Sequence, residues 1–120
     1  MLQTESPLGV DNAEEIYSLP GVDAIFIGPN DLRFQMRTAD GGFPTADQHE
    51  AMVQRVIAAG KKVKCPTGIH SFDPQDALKR AEQGMRFIAV GSDLRFMSQK
   101  AQEVLEVIKP QKEKKEIVKY

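Results

Sequence analysis

Short apolar runs recur along the chain, and after each one the apolar residues change to helical spacing. The runs cover residues 1–5, 22–27, 62–66 and 86–90. The second is apolar apart from Asp23, as expected of a strand buried on both faces of a parallel sheet. The third is less apolar and leads into Thr67-Gly68-Ile69-His70. Between the runs, residues 12–18, 46–59 and 94–108 read as helices, and a further helix runs from Asp73-Pro74 to Gly84. Asp11 with Glu14 has the spacing of a capping box, Thr45 is placed to cap the second helix, and Gly60 is placed to end it. Asp73-Pro74 is a strong helix start, because proline at the first helical position lacks only an N–H that has no helical partner. Pro110 closes the last helix.

Alternation of strand and helix implies a parallel sheet with right-handed crossovers. The unit is about 30 residues, and eight such units make a barrel of about 250. Four units are therefore expected to form half of a TIM (β/α)8 barrel over residues 1–110, followed by a charged tail over 111–120. A flavodoxin-like open parallel sheet is the alternative. Ile25-Phe26-Ile27-Gly28 and Ile88-Ala89-Val90-Gly91, each followed by an Asp-Leu-Arg-Phe sequence, echo one another across the repeat. Shared strand–turn–cap chemistry explains the echo equally well.

Composition narrows the function classes. With 41% hydrophobic and 28% charged residues and a net charge of −1, the 120-residue chain has an ordinary soluble balance and no basic field for nucleic acid. Its Lys-rich stretch at 112–119 is interrupted by Glu113 and Glu116 and reads as a solvated end. Cys65 is the single cysteine, so no intrachain disulfide forms, and a small buried residue is the expected role. No apolar run reaches the length of a membrane span, and no signal peptide is evident, so a cytoplasmic location is expected.

In parallel α/β folds, ligands bind at the carboxyl ends of the strands. The polar groups expected there are Gln3, Glu5, Ser6, Asn30, Asp31, Thr67, His70, Ser92 and Asp93. The set is rich in oxygen donors and poor in nucleophiles. Glu5 and Asp31, at the ends of adjacent strands, form the best pair for a hard divalent cation such as Mg²⁺ or Mn²⁺. The tight turn leading from Gly28-Pro29 to Asp31 can expose successive backbone N–H groups at a helix start to a carboxylate or phosphate. The plainer reading makes Asp31 a helix cap and Glu5 a solvated loop acid. His70 reads as a ligand, a base or a structural side chain, and His49 as an exposed residue inside a helix.

Gln3-Thr4-Glu5-Ser6, then Pro20-Gly21-Val22-Asp23-Ala24-Ile25-Phe26-Ile27-Gly28-Pro29-Asn30-Asp31-Leu32, resembles the HpcH/HpaI aldolases, metal-dependent (class II) enzymes acting on 2-oxo acids. Ala58-Ala59-Gly60-Lys61 and Gly84-x-x-Phe87-Ile88-Ala89-Val90-Gly91-x-Asp93 extend the match to most of the chain. The resemblance implies the carboxyl-terminal half of a barrel, with Glu5 and Asp31 as ligands of Mg²⁺, Mn²⁺ or Co²⁺. Gln3 and the backbone of Gly28, Pro29, Asn30 and Asp31 would bind a small, pyruvate-like 2-oxo acid. It also implies cleavage of 4-hydroxy-2-oxo acids or 2-oxo-3-deoxy sugar acids to pyruvate and an aldehyde, without a Schiff-base lysine. The family's catalytic His and substrate-binding Arg belong to the other barrel half and have no counterpart here. The sequence departs from the family at Gly42-Phe43-Pro44-Thr45-Ala46-Asp47, where a Gly-x-Pro-x-His-Pro pattern is common, and around Cys65–His70. The expected partners are a second copy or the missing half. A non-catalytic half-barrel serving binding or assembly is the rival reading.

Overall fold

Ser6, Thr45, Asp73 and Ser92 each stand just before a segment of helical spacing, and each caps the helix that follows through its side-chain oxygen. In the computed structural model, which describes residues 1–109, these caps organise ten elements in strict order. They are β1 (Leu2–Thr4), α1 (Pro7–Asp11), α2 (Ala13–Tyr17), β2 (Ile25–Ile27), α3 (Pro29–Gln35), α4 (Ala46–Val63), β3 (Thr67–Ser71), α5 (Pro74–Glu82), β4 (Phe87–Val90) and α6 (Asp93–Ile108). Among the described residues no helix is long and apolar enough to cross a membrane. Pro110 and the tail at 111–120 lie outside the described residues.

Three local expectations change. The first helical segment is two short helices broken at Asn12, and its cap is Ser6. Asp11 instead ends α1 and pairs with Arg55 at 2.7 Å. A helix also forms directly after Gly28, so Asp31 lies inside it rather than capping it. Gly60 does not end α4. It is buried inside the helix, where a Cβ would strike the Thr67 side chain and come within 2.8 Å of the Cys65 carbonyl. The helix continues to Val63, with Lys61 and Lys62 in its last turn beside the exposed carbonyls, and closes at Lys64 in the left-handed region (φ 60°). The third strand therefore begins at Thr67, after the apolar run at 62–66, and His70 lies inside it.

The four strands are all parallel and pair in the order β1-β2-β3-β4. A flavodoxin-like sheet would reverse its strand order at a switch point. Sequential order with crossovers of one hand instead winds the helices onto one face, as in a barrel. The register aligns Thr4, Ile27, Ile69 and Ile88 in one row, and Gln3, Phe26, Gly68 and Phe87 in another. Ile25, Ile27 and Ile69 join Val10, Ala13, Tyr17, Leu32, Val53, Val56 and Ile57 in a single core. Cys65 is buried with them, as expected. The alternate strand residues, Gln3, Phe26, Gly68, His70, Phe87 and Ala89, share the opposite face. This core belongs to a unit spanning Met1–Val90. A second unit begins at Gly91 and contains α6, whose start is set by the Ser92 cap.

An ion pair with its cation buried ties α4 to α5. The guanidinium of Arg80, which is 6% exposed, donates from both terminal nitrogens to the two oxygens of Glu50 at 2.8 Å each. Its Nε lies 3.0 Å from Asp76 as a charge contact without an aligned hydrogen bond. Asp76 in turn accepts from Ser71 at the end of β3. Hydrogen bonding to Arg80 holds the Glu50 carboxyl down at about 2, against an ordinary value of 4.5. Its contribution is complete above the ordinary carboxylate range and is lost as pH falls from about 4.5 toward 2. With the Glu50 side chain 31% exposed, the pair contributes on the order of 2 kcal/mol. Denaturant unfolding of E50Q beside the wild type should show this loss across that window, with the wild type converging on the variant near pH 2. Parallel pH profiles for the two proteins would defeat the assignment.

Candidate functional site

The mouth of the sheet is built where the register runs past the strand ends. One residue beyond the row of Thr4, Ile27 and Ile69 stand Glu5, Gly28 and His70, so all three follow the face opposite the core. Gln3 lies two residues before Glu5 on that face and is exposed. The half-buried Glu5 carboxylate lies directly over Gly28, where a Cβ would collide with its Cγ, Cδ and Oε1. Gly28 has an ordinary backbone (φ −88°), so what glycine supplies here is space for Glu5 rather than a special turn.

Gly28 is also the N-cap of α3, and no side chain caps that helix. Pro29 is its first residue, Asn30 is exposed, and Asp31 is the acid of its first turn. Asp31 therefore sits inside the helix start and is not its cap. Glu5 thus lies over the Gly28 turn, and Asp31, which is exposed, belongs to the helix that this turn begins. Among the described residues no three His, Cys, Asp or Glu side chains gather as a metal cluster. Two oxygen donors with most of the coordination sphere left to water and substrate is nevertheless the usual arrangement for Mg²⁺ and related hard cations, so the donor set fits such an ion.

His49 departs from expectation. It is half-buried, and its Nε2 lies 2.9 Å from the Pro29 carbonyl oxygen. The signal was present in the sequence: His49 falls at helical spacing before Met52, Val53 and Val56, on the buried stripe of α4. His70 is half-buried within β3, with its ring 4.3 Å from that of Phe72. Other polar groups expected at the mouth serve as caps: Ser6 accepts from the Gly9 N–H and Ser92 from the Arg95 N–H. Asp93 accepts from the Leu94 N–H, and Thr67 is buried at the start of β3.

The model of the HpcH/HpaI aldolase/citrate lyase family matches residues 1–99. The chain belongs to this family. A hydroxypyruvate/pyruvate aldolase of Chromohalobacter salexigens is 41% identical over 105 residues, covering 88% of this chain and 41% of the relative. A 5-keto-4-deoxy-D-glucarate aldolase of Klebsiella pneumoniae is 37% identical over 111 residues, covering 91% and 42%. A crystal structure of an HpcH/HpaI aldolase/citrate lyase family protein from Burkholderia cenocepacia superposes with a TM-score of 0.79 at 33% identity, covering 89% of this chain and 41% of that one. The chain thus spans about two fifths of the length of these relatives. Its four βα units correspond to half of an HpcH/HpaI barrel.

The Glu5–Gly28 contact yields a direct test. Alanine is allowed at the backbone angles of residue 28, so G28A should keep the unfolding midpoint within about 4 °C of wild type, which corresponds to roughly 1 kcal/mol in a domain of this size. The Glu5 side chain should swing off the mouth, visible as a displaced carboxylate in a crystal structure. An undisplaced Glu5 would contradict the packing.

Proposed function

We propose that these residues are the metal- and oxo-acid-binding half of a divalent-metal-dependent aldolase. The whole enzyme would cleave 4-hydroxy-2-oxo acids or 2-oxo-3-deoxy sugar acids to pyruvate and an aldehyde. The observation that carries this reading is the placement of Glu5 over Gly28, in the same turn that begins the helix bearing Asp31. Family membership and relatives named as hydroxypyruvate/pyruvate and 5-keto-4-deoxy-D-glucarate aldolases support it.

In this reading Glu5 and Asp31 hold Mg²⁺, Mn²⁺ or Co²⁺. Bound there, the ion would act as a Lewis acid on the 2-oxo group and ease the enolate character that develops as the carbon–carbon bond breaks. Gln3, on the same face as Glu5, contacts the oxo acid. Backbone N–H groups of the Gly28–Asp31 turn hold its carboxylate, with Pro29 shaping the turn and donating nothing. Phe26, one layer below Gly28 on this face, packs edge-on against Phe87 at 5.5 Å and walls the lower side of the mouth.

Mn²⁺ titration followed by water proton relaxation tests the metal reading. The 120-residue chain should bind Mn²⁺ weakly, pyruvate should strengthen that binding, and the E5A/D31A double variant should lose it. Equal binding by the double variant would refute the ligand assignment.

The open sheet supports an assembly. β1 and β4 are its edges, and Phe87 (51% exposed) lies on the face away from the core. Edge strands with unpaired N–H and C=O groups associate unless they are blunted. A second copy or a separate barrel half should cover this face, so sedimentation velocity of the isolated chain at micromolar concentration should show dimers or larger species. A lone monomer would count against the homo-oligomer.

A further inference from the structure

We infer that His49 is a positioning residue that fixes the Gly28–Asp31 turn through the Pro29 carbonyl. The inference rests on the reading that this turn holds the metal and the oxo acid. Its geometry is specific. A carbonyl oxygen only accepts, so the 2.9 Å contact requires Nε2 to carry the proton and donate. The donor comes from the first turns of α4, twenty residues away in sequence, and the acceptor is the first residue of α3.

Two consequences follow. First, the turn bearing Asp31 is held by more than its own short helix. α3 spans seven residues and has no side-chain cap, and such a short helix is marginal on its own. His49 anchors its start to α4, an eighteen-residue helix whose Val53, Val56 and Ile57 are buried in the core. Second, a hydrogen bond to the Pro29 carbonyl polarises the Pro29–Asn30 peptide, making the Asn30 N–H a better donor. Neighbouring Glu50 meanwhile binds Arg80, whose partner Asp76 accepts from Ser71 at the end of β3. Consecutive residues of α4 thereby brace the ends of β2 and β3. Partners one shell beyond a metal ligand typically set affinity by 10- to 100-fold.

The experiment compares H49A, H49Q and H49N in the 120-residue chain by Mn²⁺ titration with and without pyruvate, alongside unfolding midpoints. The Gln amide nitrogen reaches the position of Nε2, whereas the Asn amide nitrogen stops near that of Nδ1. H49A and H49N should each weaken Mn²⁺ binding about tenfold, and H49Q should restore it to within about threefold. Wild-type affinity in H49A, equal rescue by Asn and Gln, or losses that only track the folded fraction would each overturn the positioning role. Absence of Mn²⁺ binding by the wild type would overturn the metal reading and this inference together. Wild-type binding with an indifferent H49A would overturn this inference alone.

Discussion

The burial of one face of the sheet against α4 is the contact on which the other placements depend. Val53, Val56 and Ile57 of α4 share a core with Ile25, Ile27 and Ile69 of the two central strands. Because strand side chains alternate, burying these isoleucines commits Phe26, Gly68 and His70 to the other face. The same helix carries His49 and Glu50 in its first turns, so the contact that buries the core also delivers two polar anchors to the strand ends. Packing and site geometry are set by one helix docking in one register.

Much of this was legible in the chain itself. The apolar runs, the Gly-Pro turn and the caps at Thr45 and Asp73 announced four βα units, because each signal is local: an oxygen within reach of the next N–H, or a proline that suits only a first helical turn. What escaped local reading depended on contacts distant in sequence. Gly60 looks like a helix terminator, yet it lies inside α4, where Thr67 and Cys65 come too close for a side chain. That displaced the third strand toward the carboxyl end and moved His70 from a loop into β3. The pairing of Glu5 with Gly28 carries no spacing signature, since it joins residues just beyond the ends of two different strands. The resemblance to a family supplied the roles that spacing alone left open.

Glycines recur where the site needs room. At Gly28 the missing Cβ makes space for the Glu5 carboxylate. At Gly68 it makes room for β4 itself, since a Cβ there would strike the Phe87 carbonyl oxygen and crowd its Cβ; the rings of Phe26 and Phe87, on the strands to either side, meet at 5.5 Å. The result is layered along the face away from the core. An aromatic layer with Gln3 at its edge lies below, and Glu5, Gly28 and His70 follow at the mouth. In the proposed metal reading, apolar rings beneath Glu5 would strengthen its attraction for a cation once this face is covered.

The orientation of β1 decides whether Gln3 and Glu5 reach this mouth at all. β1 is three residues long, and slipping it by one position would turn both side chains toward the helices. Thr4 blocks that slip. Its hydroxyl is buried and shares a 2.8 Å hydrogen bond with the phenol of Tyr17 on α2. Burial pushes the Tyr17 phenol above its usual range, so it stays neutral and remains a partner for Thr4. Slipping the strand would strand two buried hydroxyls without partners, at a cost of about 1–3 kcal/mol for each buried polar group. A single neutral hydrogen bond on the core side thus fixes which way the Glu5 carboxylate on the opposite side must point.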